Sequence, residues 1–327
     1  MKPVICFGEA LIDLLQINTP SADGLPLADF RQFPGGAPAN AAVAIAKLGG
    51  KAQFCGQVGK DTFGDFLINA LKHYHVDCQY TFQHPTAKTA LAFVSLDEHG
   101  ERSFSFYRDN SADVLFTPEQ FNQSCFESAG IFHFCSNTLT EQSITNTTHK
   151  GVLLAKEHGL LVSFDVNLRH NLWASGSADI ERVNQLVWQS DVVKFAKEEL
   201  TYLACDNASD YIKQCFNNGC KLLIVTNGGE PLDYYFTQNG KIITHTITPP
   251  KSDTVDSTAA GDAFIGGVLY GLSQFQEPLK VLNSPQKLEH LITSGSHCGA
   301  HTVARQGAFV ALPKLCDIPA LNNTVNE

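Results

Sequence analysis

Near the end of the chain, residues 253–271 read DTVDSTAAGDAFIGGVLYG: the small residues Ala259, Ala260 and Gly261 run into one acid, Asp262, and then into an apolar helical pattern. A turn of small residues entering a helix leaves several amide protons without an intrahelical acceptor, and the helix dipole adds positive potential there. Such an anion hole suits a phosphoryl group in transfer. A carboxylate beside it could orient an alcohol and take its proton. Asp is also a common helix N-cap. The two readings are compatible, because the helix start that favours a cap also supplies the amides.

Two other stretches offer partners for hydroxyl groups. In GGAPANAAVAIAKLGG, residues 35–50, Gly35 and Gly36 permit close backbone approach before an Ala-rich helix that Gly49 and Gly50 stop. Tight helix–sheet packing accounts for such glycines equally well. Asn40, polar in the first turn of an apolar helix, needs a partner that a ligand hydroxyl would supply. Asp13 lies among Leu and Ile in VICFGEALIDLL, residues 4–15, which is expected to be the first strand. A carboxylate buried there needs donors, either sugar hydroxyls or an internal arginine.

The elements that must position these groups follow a βαβα rhythm. VICFG, AQFCGQV, GIFHFCS, LLVSFDV, DVVKFA and KLLIVTN are apolar nearly throughout, as suits parallel strands covered on both faces. Helical patterns lie between them, at Ala39–Leu48, Phe63–His73, Glu141–His158, Asp179–Gln189, Glu198–Ala204 and Ala208–Asn218, with two more at Ala260–Ser273 and Pro285–His301. The pattern predicts an α/β fold, a doubly wound and mostly parallel sheet with helices on both faces. Residues 86–108 break the rhythm with two alternating strands around DEHGE, a hairpin projecting from the main sheet. The Pro- and Gly-dotted excursion at 14–33 is expected to pair with it as a small β-sheet lid inserted in a single domain of residues 1–327. QGAFVALP is expected to be a short final strand.

Composition bounds the function. At 327 residues, 43% hydrophobic and 17% charged, the chain can bury a large core. A net charge of −10 argues against nucleic acid or an anionic membrane as partner. It leaves room for an anionic ligand held by local amides. No apolar run approaches the ~20 residues of a membrane span. The ten cysteines contain no CxxC pair, which points to buried, reduced thiols and a cytoplasmic location. FGEALID lacks GxGxxG, so there is no dinucleotide fingerprint.

GGAPANAAVAIAKLGG followed by GQVGKDTFGDFL resembles the N-terminal signature of the ribokinase-like (PfkB-type) carbohydrate kinases, and DSTAAGDAFIGG resembles their C-terminal signature. The likeness runs from Val4 to about Pro313. It is most similar to the fructokinases, through FGEALIDLL, KTALAFVSLDEHGERSFSFYRDNSAD, FDVNLR and VVKFAKEEL.

The resemblance implies roles. Asp262 would be the catalytic base, the amides of Ala259, Ala260 and Gly261 the anion hole, and Arg169 a stabiliser of the transferring group. Asp13, Gly35, Gly36, Asn40 and Asn167 would hold sugar hydroxyls, with Tyr107 and Arg108 closing over the sugar. Lys194, Glu199, Thr226, Gly228 and His297 would serve ATP. Glu199 would organise Mg²⁺ through water, and Asp256 with the Thr258 carbonyl a monovalent cation, K⁺. His297 and His301 have metal-ligand spacing without a third ligand, so packing beside the nucleotide is the better reading. Ala259 stands where many members have Gly, Ala196 where a polar residue precedes the acid, and Pro231 and Asn227 reshape the nucleotide loop. The implied reaction is phosphorylation of the primary hydroxyl of fructose. 2-Keto-3-deoxygluconate, aminoimidazole riboside and a catalytically idle binding protein stand as alternatives. An exposed lid face predicts a homodimer.

Overall fold

The computed structural model describes residues 1–96 and 102–324, so the DEHGE segment at 97–101 lies outside the described residues. In chain order the strands are β1 (Val4–Phe7), β2 (Leu11–Asn18), β3 (Ser21–Ala22), β4 (Leu25–Pro26), β5 (Asp29–Gly35), β6 (Ala52–Gly59), β7 (Thr81–His84), β8 (Leu91–Leu96) and β9 (Arg102–Tyr107). They continue as β10 (Ile131–Cys135), β11 (Leu161–Asp165), β12 (Val192–Ala196), β13 (Leu222–Asn227), β14 (Glu230–Gln238) and β15 (Lys241–Ile247). The helices are α1 (Ala37–Lys47), α2 (Thr62–His73), α3 (Gln123–Ser128), α4 (Gln142–Glu157) and α5 (Ile180–Val187). Then come α6 (Lys197–Ala204), α7 (Ala208–Asn217), α8 (Ala260–Ser273), α9 (Pro278–Val281) and α10 (Pro285–Val303).

The large sheet runs β15-β14-β13-β12-β11-β10-β1-β6-β7. It is parallel from β13 to β7, and β14 and β15 extend it as an antiparallel edge. Alternate side chains enter opposite cores: Val4 and Cys6 meet α1, α2, α8 and α10, while Ile5 and Phe7 meet α3 to α7. Burial on both faces explains why these strands read as unbroken apolar runs. Helix α8 packs on α1 with almost no side chain between them. A Cβ on Gly266 would stand 2.6 Å from that of Ala44, so the glycines inside α8 serve packing.

A second sheet, ordered β5-β2-β8-β9, forms the expected lid, with β2 and β8 parallel and the outer pairs antiparallel. The excursion at 14–33 does pair with the hairpin, although β2 begins earlier, at Leu11. VICFGEALIDLL is therefore two strands. Gly8, at φ 142°, and Glu9 turn the chain out of the main sheet, which places Asp13 on the lid. QGAFVALP is not a strand: Gly307 takes φ 92°, and turns bury Ala308, Phe309, Ala311 and Leu312. The hairpin β14–β15, closed by Asn239–Gly240 with both residues at positive φ, was not expected. No helix of the described residues is long and apolar enough to cross a membrane.

Candidate active site

The chemistry-bearing residues gather at the carboxyl ends of the parallel strands. Glu9 follows β1, Asn137 follows β10, Asn167 and Arg169 follow β11, Lys194 lies on β12, and Thr226 and Gly228 close β13. Strand order reverses about β1, with β10 on one side and β6 on the other, and open α/β sheets bind ligands at such a switch point.

Two cavities open there. The smaller, about 280 Å³, is bounded by Asp13, Gly36, Asn40, Asn167, Arg169 and Asp262 and roofed by Phe106 from the lid. The larger, about 820 Å³, has Thr226 and Gly228 on one wall and Leu232, Phe264 and Val303 as apolar surface. They share Ser257, Ala260 and Gly261, so the first turn of α8 is the partition between them.

That turn is built as an anion site. Ala259 is the N-cap, left-handed at φ 60°, with no side-chain cap. Ala260 N–H goes weakly to the Ser257 carbonyl at 3.3 Å. The amides of Gly261 and Asp262 belong to a helical first turn, where no intrahelical carbonyl can receive them. Below them lies Lys194, whose Nζ is 3.2 Å from where a Gly261 Cβ would stand and 2.8 Å from Asp165 Oδ1. Asp262 sits at the third position of α8 and does not cap it. Its Oδ2 accepts from Asn40 Nδ2 at 2.7 Å. Asn40 Oδ1, buried, has no donor among the described residues.

Burial, then the neighbouring Asp165 charge, pushes the Asp262 carboxyl up to about 7, against the Asn40 hydrogen bond and the Arg169 and Lys194 charges. Burial and the charges of Asp262 and Asp256 likewise push Asp13 up to about 7. Gly35 makes room for Asp13: a Cβ there would stand 2.1 Å from Asp13 Oδ2. Both carboxylates therefore face one small cavity.

The remaining expected residues divide. Glu199 is buried behind the partition, each oxygen holding one amide at 2.7 Å, Leu168 N–H on Oε1 and Ala196 N–H on Oε2. Ala196 thus acts through its backbone, which any residue supplies. Asp256 accepts from the amides of Thr258 at 2.8 Å and Gly307 at 3.0 Å, beneath Asp13. Two residues are placed away from the smaller cavity. Tyr107 is 66% exposed, because the alternation of β9 turns Phe106 inward and Tyr107 outward. Arg108 is buried, with its guanidinium on Asp113 at 2.7 Å, the Asn137 carbonyl at 2.9 Å and Thr140 at 3.2 Å. His297 lies outside the larger cavity. Its neighbour Ser296 lines it, with a buried hydroxyl that has no partner among the described residues.

Sequence reasoning missed Glu9, Asn137, Phe106 and Ser296. Alternation along β9 was the available signal for Phe106, and Glu9, an acid in an apolar run, was legible as needing donors. The orphaned Asn40 oxygen and Ser296 hydroxyl belong to residues that line the two cavities. Among the described residues no cluster of three or more metal-ligating side chains occurs.

The pfkB family carbohydrate kinase model matches residues 1–315. The probable fructokinase-6, chloroplastic, of Arabidopsis thaliana is 39% identical over 95% of this chain and 79% of its own length. Fructokinase-2 of Zea mays is 37% identical over 95% and 91%. Among solved structures, fructokinase from Xylella fastidiosa with bound ATP superposes with a TM-score of 0.91 at 40% identity, covering 99% of both chains. Fructokinase from Vibrio cholerae O395 in its fructose, ADP and calcium ion bound form gives 0.84 at 33% identity over 98% of both. A sugar-sized and a nucleotide-sized cavity meeting at one helix start are what such an enzyme requires, and the chain belongs to the pfkB family of carbohydrate kinases.

Proposed function

We propose that this protein is a fructokinase that transfers the γ-phosphoryl of ATP to the primary hydroxyl of D-fructose. The observation that carries this is the partition: the first turn of α8 separates a 280 Å³ cavity holding Asp262 from an 820 Å³ cavity large enough for a nucleotide. Fructose lies in the smaller cavity with hydroxyls on Asp13, Asn40 and Asn167. ATP lies in the larger against Thr226, Gly228 and Ser296, its γ-phosphoryl directed at the partition.

Asp262 accepts the proton of the primary hydroxyl as that oxygen attacks the γ-phosphorus and the bond to the β,γ-bridging oxygen breaks, releasing ADP. The amides of Gly261 and Asp262, with Lys194 beneath and Arg169 across the cavity, hold the charge that spreads over the equatorial oxygens. Phe106 excludes water from the reacting groups. Glu199, fixed by two backbone amides, would orient the waters of a nucleotide-bound Mg²⁺, which would supply neutralisation of phosphate charge. Asp256 and the Thr258 carbonyl would hold a monovalent cation, K⁺, whose charge would add to the positive potential of the anion site. Ten free thiols support a cytoplasmic location.

The outer face of the lid, where Phe93 lies 5.2 Å from Tyr107 and 5.4 Å from Phe30, pairs with the same face of a second copy.

ADP release from Mg-ATP is measured with fructose, 2-keto-3-deoxygluconate, aminoimidazole riboside and ribose. Fructose-dependent turnover exceeding the others is expected. Turnover on another sugar alone, or on none, overturns the assignment.

A further inference from the structure

Arg108, Asn137 and Glu9 join the lid to the helix that carries Asn40. Arg108 directly follows β9, two residues after Phe106. Its Nη2 donates to the Asn137 carbonyl at 2.9 Å and its Nη1 to Thr140 Oγ1 at 3.2 Å, while Nε pairs with Asp113 Oδ2 at 2.7 Å. Asn137 Nδ2 donates to Glu9 Oε1 at 2.9 Å. The same Glu9 oxygen accepts from Ala37 N–H at 3.0 Å. Ala37 is the first residue of α1, whose N-cap Gly36 has no side chain to offer, so Glu9 caps that helix from another element. Three residues on, Asn40 donates to Asp262.

Every link is within hydrogen-bonding distance, and Glu9, Asn137 and Arg108 are each more than nine-tenths buried. Burial matters because an unmade bond in this setting is not replaced by bulk water. The three come from different segments: the turn after β1, the turn after β10 and the end of the lid strand. Chain connectivity alone would not hold them in register.

We propose that Glu9, Asn137 and Arg108 are positioning residues that form a relay between lid and base, setting Phe106 over the sugar and the first turn of α1, with Asn40, against Asp262. Arg108 acts through its three-pronged fork on Asn137, Thr140 and Asp113, without touching sugar. Glu9 acts through Oε1, shared by the Asn137 and Ala37 donors at 2.9 and 3.0 Å, while the Cys135 thiol lies at 3.8 Å from both carboxylate oxygens. The relay therefore requires acceptor geometry at position 9 and fork geometry at position 108. Charge at either position does not suffice.

The kinetic part of the test rests on the fructokinase reading, and the exchange part does not. Arg108→Lys keeps a cation opposite Asp113 but cannot reproduce the fork. Glu9→Leu removes the acceptor, and Glu9→Gln restores one oxygen for both donors. Amide hydrogen exchange of the first turn of α1 is measured without ligands, and fructose KM, kcat and the ratio of ATP consumed to fructose phosphorylated are measured for each variant. Arg108→Lys and Glu9→Leu should both speed exchange at Ala37, although Arg108 does not contact α1. Each should raise fructose KM about tenfold, the loss of roughly one hydrogen bond, and raise ATP consumed per fructose phosphorylated. Glu9→Gln should stay near wild type on all three. Wild-type exchange and KM in Arg108→Lys, or Glu9→Gln behaving like Glu9→Leu, overturns the relay. If Glu9→Leu fails to fold, Arg108→Lys and Glu9→Gln still decide. If wild type does not phosphorylate fructose, the functional assignment fails and the exchange measurements alone judge the relay.

Discussion

Asn40 Nδ2 donates to Asp262 Oδ2 at 2.7 Å, joining the first turns of two helices that lie 222 residues apart in sequence. The bond holds the carboxylate by one oxygen at the edge of the smaller cavity. Asp262→Asn keeps an acceptor for Asn40 and nearly the same shape, but an amide cannot take a proton from the substrate hydroxyl. The kcat should fall about 10³-fold, in the range of lost general-base catalysis, with fructose affinity retained. Steady-state kinetics and calorimetric titration with fructose check the two halves separately. Turnover within tenfold of wild type would remove Asp262 from the role of base.

The pH dependence follows from burial. With the Asp262 carboxyl pushed up to about 7, the group is protonated below neutrality and cannot act as a base. Fructose kcat/KM should therefore rise with pH, about tenfold per unit on the acid side, and level off above pH 7. Asp13 shares the cavity and its pKa is raised by the Asp262 charge, so the two titrate as a pair. Asp13→Asn removes that repulsion, which should move the acid limb to lower pH while KM rises. A limb that stays in place would show that the two carboxylates are not coupled.

Much of this was legible in the sequence because the relevant physics is local. Apolar strands, the small-residue turn before Asp262 and the Gly pair before Asn40 each announce their conformation within a few residues. What was lost depends on direction or on distant partners. Tyr107 and Phe106 are adjacent and both aromatic, and only the register of β9 against β8 decides which faces the sugar. Arg108 reads as a ligand for substrate until Asp113, Asn137 and Thr140 are seen around its guanidinium. Asp262 reads as base and cap together because its helix start is obvious, whereas its partner Asn40 is far away in the chain. The β14–β15 hairpin carried a legible Asn-Gly turn. QGAFVALP has the composition of a strand, but Gly307 at φ 92° starts a run of turns instead.

The lid face tests the proposed assembly. Tyr107 and Phe30 are large, exposed and aligned through Phe93 on the side turned away from the sugar. Contiguous apolar surface of this kind marks an interaction site. Light scattering should report a dimer at micromolar concentration, and Tyr107→Glu with Phe30→Glu should yield a monomer of unchanged thermal stability. A wild-type monomer throughout that range would overturn the dimer.

Lys194 and Asp165 pair at 2.8 Å with both side chains at most 5% exposed, directly beneath the first turn of α8. Burial alone would lower the lysine pKa. The charges of Asp165, Glu199 and Asp262 outweigh it and hold the ammonium ionised. Lys194→Met strands Asp165 as an unpaired buried charge, a change that costs about 3–5 kcal/mol in comparable sites. Replacing both partners, Lys194→Met with Asp165→Leu, removes the stranded charge and should recover most of that loss, because two well-packed apolar groups need no partner. Urea denaturation of wild type, Lys194→Met, Asp165→Leu and the double variant yields the coupling energy. Catalysis should not recover with stability. The double variant still lacks the cation beneath the anion site, so its kcat should remain far below wild type. Stability and kcat returning together would place Lys194 in the core alone. A single variant within 1 kcal/mol of wild type would mean that Asp165 finds another donor once the lysine is gone.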